Sequence, residues 1–168
     1  MTQIALVRAA DLMQADVVTL QASMPIREAI ETLEEYRISG APVVDAAGNL
    51  VGVLSASDIV KAEHLQDDRI GRVREYHAYD PYWDDDPDRW WAEGHDFARD
   101  DYGDAMIGRE TVGDWMTPEV FHVSSDATLR EICSLIDKER VHRVFVVDDR
   151  KLRGVISTID IVSYLART

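Results

Sequence analysis

"GVLSASDIV" (Gly52–Val60) and "GVISTIDIV" (Gly154–Val162) are one nine-residue phrase written twice in a chain of 168 residues. Working outward from the two copies extends the likeness. "IREAIETLEEYRISGAPVVD" (26–45) matches "LREICSLIDKERVHRVFVVD" (129–148), and "DLMQADVVTL" (11–20) matches "DWMTPEVFHV" (114–123), both at an offset of 103 residues. One residue is lost in the turn after Asp148, so Gly52 aligns with Gly154 and Asp58 with Asp160 at an offset of 102. Self-similarity at a fixed offset marks an internal repeat and takes precedence over any local reading.

Each copy predicts the same elements. Val17 to Leu20 and Val120 to Val123 are brief β-rich runs, followed by Ser23 and Asp126 as helix N-caps. Ile26, Ala29, Ile30 and Leu33 recur at i, i+3, i+4 and i+7, as do Leu129, Ile132, Cys133 and Ile136, so each helix turns one apolar face inward. Two short apolar strands joined by "AAGN" or "DRK" form a hairpin, and a last helix begins near Ser55 or Ser157, carrying Ile59 and Val60 or Ile161, Val162 and Leu165. The unit is β-α-β-β-α, about 50 residues long, which is too small to bury its own apolar faces. The fold class expected is α+β: two such repeats (1–63 and 114–168) packed as a pseudo-twofold pair, with an aromatic and acidic insert (64–113) between them.

Composition narrows the function. The chain is 46% hydrophobic and 30% charged, and no apolar run approaches the roughly 20 residues that cross a bilayer. The N-terminus lacks the greasy run of a secretory signal, and a single cysteine, Cys133, excludes an intramolecular disulfide, so the cytoplasm is the expected compartment. Cys133 itself is expected in the core. A net charge of -14 argues against nucleic acid and anionic membrane as partners, because each phosphate contact needs a cation.

The insert is another matter. It holds fourteen Asp plus Glu against six Arg, three of the four Trp and four of the six Tyr. Disordered linkers are poor in aromatics, so ordered loop and short helix are expected, with Trp83, Trp90 and Trp91 packed on the repeats or on a second chain. His64, His77 and His95 show no helical metal-ligand spacing. Asp84, Asp86 and Asp88 mimic the first ligands of a calcium loop, but Arg89 and His95 occupy the positions that need glycine and glutamate. With no nucleophile elbow or P-loop either, the sequence contains no catalytic constellation.

In the repeated phrase, Ser55-x-x-Asp58 and Ser157-x-x-Asp160 read first as capping boxes, the serine oxygen accepting from the helix amide while the carboxylate reaches back. A second reading coexists with it. A strand that turns into a helix at serine leaves amides and the positive end of the helix dipole for a phosphate, and a carboxylate one turn in accepts the hydroxyls of a ribose.

These features together resemble a tandem pair of cystathionine-β-synthase (CBS) domains, the Bateman module. The residues that carry the resemblance are "DLM" and "DWMTP", "RISGAPVVD" and "RVHRVFVVD", and the Gly-to-Asp phrase in both copies. The resemblance implies a nonenzymatic regulator that binds AMP, ADP or ATP in clefts between the repeats, with Ser55 and Asp58 in one and Ser157 and Asp160 in the other. No cofactor is required; magnesium is an option with ATP. "VHRVFVVD", beginning at Val141, is also similar to a phosphate-binding segment of AMP-activated protein kinase gamma subunits, which assigns phosphate to His142 and Arg143. In so acidic a chain, these two sit in a cluster with Arg140, Arg150, Lys151 and Arg153, and the last three read as a solvated basic face.

The first copy departs from the pattern, with Ser39 and Gly40 in place of His142 and Arg143. A polyphosphate there is in doubt, and three options stay open: adenosine held through Ile38, Gly40 and Pro42, cations borrowed across the cleft, or an empty site. Thr117 in "WMTP" is a further contact candidate, and Gln14 a weaker one. The resemblance also implies a homodimer, two pairs stacked as a disk, and a protein partner reached through the insert. Competing readings are a ligand-free scaffold and a binder of an adenosyl compound such as S-adenosylmethionine, whose sulfonium gains nothing from Arg143.

Overall fold

The computed structural model describes residues 6–60 and 110–167. The aromatic stretch of the insert, including Trp83, Trp90 and Trp91, lies outside the described residues, as do the three insert histidines. In chain order the named elements are α1 (Ala9–Leu12), β1 (Leu20–Gln21), α2 (Ile26–Glu35), β2 (Gly40–Val44), β3 (Leu50–Ser55), α3 (Val112–Trp115), β4 (His122–Val123), α4 (Leu129–Glu139), β5 (Arg143–Asp148), β6 (Lys151–Ser157) and α5 (Thr158–Arg167). A helical segment over 56–60 follows β3. The fold is α+β, with two three-stranded sheets in the orders β1-β2-β3 and β4-β5-β6. β1 runs parallel to β2 and β4 parallel to β5, in registers that match through the repeat: Leu20 with Val43, and Val123 with Val146.

The helices follow the apolar period. Ile26, Ala29 and Leu33 of α2 are buried, as are Leu129 and Ile132 of α4. Their ends correspond as well. Arg37 (φ 51°) and Arg140 (φ 54°) take left-handed conformations just past the helices. The amides of Ile38 and Val141 then return to the carbonyls of Leu33 and Ile136 at 3.0 and 3.2 Å. The lost residue is in the turns. Residues 45–49 turn with Gly48 at φ 75°, whereas β5 and β6 are joined by only Asp149 and Arg150, at φ 50° and 67°.

Three local expectations need correction. The expected caps Ser23 and Asp126 sit two residues early: Pro25 precedes α2, and Thr128 caps α4 in a box with Glu131. Strands β1 and β4 begin later than the β-rich runs suggest, because only Leu20 and His122 onward pair with a neighbour. Cys133 is exposed, not core. The buried stripe of α4 is narrower than its apolar pattern, and Cys133 lies beside it. On α5, likewise, Ile161 is buried while Ile159, Val162 and Leu165 are exposed.

The chain forms two compact units that cross the repeat boundary. One takes the chain up to Val18, Ala47–Leu50 and everything from Glu119; the other takes Thr19–Ala46 and, from Val51, the described residues to Pro118. Each therefore contains the body of one repeat and the lead segment of the other. In the first unit, α1 bonds through Ala9 and Ala10 amides to the carbonyls of Ala127 and Ser125, and Ala9 and Leu12 join a core with Ile132, Val144, Val146 and Ile156. In the second, α3 bonds through Val112 and Gly113 amides to Met24 and Ala22, and Val112 joins a core with Leu20, Ile26, Val43 and Leu54. Neither four-residue helix has a period for sequence reading to find.

Each lead segment then crosses a strand at the glycine of the repeated phrase. Gln14 exchanges both main-chain hydrogen bonds with Val155, at 2.9 and 3.0 Å, and Thr117 does the same with Val53, both at 2.9 Å. A Cβ on Gly154 would lie 2.6 Å from the Gln14 carbonyl oxygen; one on Gly52 would lie 2.6 Å from the Met116 sulfur and 2.9 Å from the Thr117 carbonyl. Gly154→Ala should therefore destabilise the protein by about 1–3 kcal/mol. Gly52→Ala should cost less, since its tightest clash is with a side chain that can move. Melting temperatures of the two variants check this, and the reverse order would contradict it.

Candidate functional site

Two sets of polar side chains gather where the repeated phrase turns from strand to helix, one set within each unit. In the first unit, β6 ends at Ser157 and α5 begins at Thr158. The Ser157 amide donates to Asp160 Oδ2 at 2.8 Å and its hydroxyl to the same oxygen at 2.5 Å, while the Asp160 amide reaches Ser157 Oγ at 3.3 Å. This is the expected capping box. The lead segment adds a donor, Gln14 Nε2 to Asp160 Oδ1 at 2.9 Å. Arg143, exposed at the start of β5, is the cross-strand partner of Ser157, and the Thr158 amide donates to the His142 carbonyl at 3.0 Å.

Burial alone would push the Asp160 carboxyl up. The bonds from the Ser157 hydroxyl, the Gln14 amide and the Ser157 amide, with the charge of Arg143, outweigh it and hold the group below the usual carboxylate range. The set thus combines an ionised acceptor, a hydroxyl, a helix N-terminus and a guanidinium. Val141 is half-buried against the core.

The second unit repeats the plan with different residues. Ser55 donates to Asp58 Oδ2 through its amide at 2.9 Å and its hydroxyl at 2.5 Å, and Thr117 Oγ1 donates to Asp58 Oδ1 at 3.2 Å. Ser55 and Ser57 hydroxyls are also bonded, at 2.8 Å. The Ala56 amide meets the Ser39 carbonyl at 2.9 Å, as Thr158 meets His142. The difference lies at Gly40. A Cβ there would sit 2.9 Å from the Leu54 carbonyl and 3.1 Å from Ser55 Cα, so no side chain fits where the other copy carries Arg143. Ile38 is half-buried against the core and Pro42 is buried within β2.

Gln14 and Thr117 thus hold corresponding places, each delivered by one repeat's lead segment to the carboxylate of the other repeat. The signal was their common offset of 103 residues. Both residues were contact candidates on sequence grounds; what spacing did not give is that each bonds the carboxylate of the other repeat.

The model of the CBS domain matches residues 9–65 and 112–167, and the chain belongs to the CBS-domain family. Among sequence relatives, inosine-5'-monophosphate dehydrogenase of Thermoplasma acidophilum is 42% identical over 57 residues, 34% of this chain and 12% of that one. CBSX2, a chloroplastic CBS-domain protein of Arabidopsis thaliana, is 26% identical over 144 residues, 85% of this chain and 56% of CBSX2. The chain thus spans about an eighth and just over half of these two relatives. The crystal structure of CBSX2 in complex with AMP superposes with a TM-score of 0.64 at 23% identity, covering 95% of this chain and 96% of that one. The CBS domain pair of protein MJ0100, in complex with 5'-methylthioadenosine and S-adenosyl-L-methionine, superposes with a TM-score of 0.62 at 20% identity, covering 96% and 98%. These likenesses show the fold.

The depressed Asp160 pKa makes the box an acid-labile support. A carboxylate whose folded pKa lies below its unfolded value, about 3.9, stabilises the fold above that value and ceases to do so as pH falls through the folded one. Asp160→Asn should therefore melt below wild type at neutral pH, with the gap closing as pH falls below about 4. Melting curves across that range check it; a gap that stays constant would place the acid sensitivity elsewhere, at Asp148 bonded to Ser125 or Glu131 bonded to Thr128.

Proposed function

We propose that the protein is a nonenzymatic regulator that senses adenine nucleotides. The observation that carries this reading is the Ser157–Asp160 box at the start of α5 with Arg143 paired to it across the strands. Phosphate oxygens would take the Ser157 hydroxyl, the His142 ring and the Arg143 guanidinium, at the positive end of α5; ribose hydroxyls would take Asp160. That CBSX2 binds AMP, and MJ0100 two adenosyl compounds, in their crystal structures supports adenosine as the common moiety. Magnesium enters only as a companion of ATP.

The second set suits a different ligand. Since no side chain fits at Gly40, Ser55, Asp58 and Thr117 offer hydroxyl and carboxylate groups without the guanidinium, which favours an uncharged adenosyl group over a nucleotide in that place. In assembly, the exposed Ile159, Val162 and Leu165 of α5 favour a homodimer that covers them. The signal then passes to a protein partner, with the insert as the contact surface and the cytoplasm as the setting; among the described residues no helix is long and apolar enough to cross a membrane.

Thermal melting with AMP, ADP, ATP and S-adenosylmethionine tests the ligand. A nucleotide at about 100 times its Kd adds about 2.7 kcal/mol to stability, a readable rise in Tm. The rise should appear with the nucleotides and vanish in both Asp160→Ala and Arg143→Ala. Absence of any rise in wild type, or a rise unchanged in Asp160→Ala, would overturn the reading.

A further inference from the structure

Resting on that nucleotide reading, we infer that Gln14 is a positioning residue that turns Asp160 into a receptor for a cis-diol. The argument is a count of lone pairs. A carboxylate offers about four acceptor positions, two on each oxygen. Here Oδ2 holds two donors, the Ser157 amide and hydroxyl, and Oδ1 holds one, the Gln14 side-chain amide. One position is open, and a vicinal diol needs two.

Of the three donors, the Ser157 hydroxyl leaves most easily, because it swings about a single side-chain bond and a phosphate oxygen offers it another acceptor. The Ser157 amide is fixed by β6. Gln14 is held at its main chain by two bonds to Val155, where the segment passes over Gly154. Once the hydroxyl turns to phosphate, each carboxylate oxygen keeps one fixed donor and one open lone pair. Vicinal 2'- and 3'-hydroxyls use both; a 2'-deoxyribose uses one.

Gln14 therefore acts on the ligand through Asp160. Anchored on Oδ1 by Gln14 and on Oδ2 by the Ser157 amide, the carboxylate plane cannot rotate away from the pair of hydroxyls. Without Gln14 it is held at one oxygen only, and its advantage for a diol falls. Phosphate contacts are untouched, so the loss appears as discrimination between sugars.

The test is calorimetric titration of the full chain with AMP and with 2'-deoxy-AMP, for wild type, Gln14→Leu and Gln14→Asn. Leucine keeps the bulk and removes the donor; asparagine keeps the amide and loses the reach. Wild type should prefer AMP, and each variant should weaken AMP about threefold to tenfold while moving 2'-deoxy-AMP by less than about twofold. Equal weakening of both ligands would assign Gln14 a merely structural role and overturn the inference, as would an unchanged ratio in variants that still bind AMP. No AMP binding by wild type would instead overturn the nucleotide reading itself, and this inference with it. If one variant fails to fold, the other carries the test.

Discussion

Main chain passing directly over main chain, at Gly52 and Gly154, is the contact on which the rest of the structure depends. A carbonyl oxygen within 3 Å of where a Cβ would be leaves no room for any side chain. What that closeness permits is a pair of main-chain hydrogen bonds on each lead segment, and these set the register in which Gln14 and Thr117 arrive beside Asp160 and Asp58. The glycine in the repeated phrase thus serves the carboxylate six positions downstream of it in the chain. Packing, register and the polar set are one device.

In the nucleotide reading proposed above, the same carboxylates would carry two duties. As helix caps, they satisfy amides that would otherwise lack partners at the start of a helix, an arrangement commonly worth about 0.5–2 kcal/mol. As acceptors for a sugar, they would draw on the same lone pairs. The two duties would be compatible because the serine amide can stay on the carboxylate, and the serine oxygen can keep the aspartate amide, while only the hydroxyl proton turns to a ligand. Arg143 and Gly40 then differentiate two sets that are otherwise built alike.

Features governed by short sequence separation were legible without coordinates. The apolar period of α2, the turn between β5 and β6 and the Ser-x-x-Asp boxes all depend on neighbours a few positions away, and each appears where spacing places it. Features governed by distant partners were not. Four-residue α1 and α3 have no amphipathic period, and their hydrogen bonds reach more than a hundred and about ninety residues along the chain respectively, as in Ala9 to Ala127 and Val112 to Met24. Cys133 shows a related limit, since an apolar pattern defines a stripe and its border is drawn by what packs against it. Thr128 rather than Asp126 caps α4 because the reciprocal glutamate, Glu131, stands three residues after the threonine.

The crossing of lead segments has a bearing on ancestry. Copying a shorter coding segment produces a repeat of this kind, yet here the body of one repeat is completed by the opening residues of the other. A chain holding one copy would find its missing α1 or α3 only on a second identical chain, offered in exchange for its own. Such an ancestor would be a swapped dimer. Gene fusion would then have made permanent a partnership that two separate molecules had already formed.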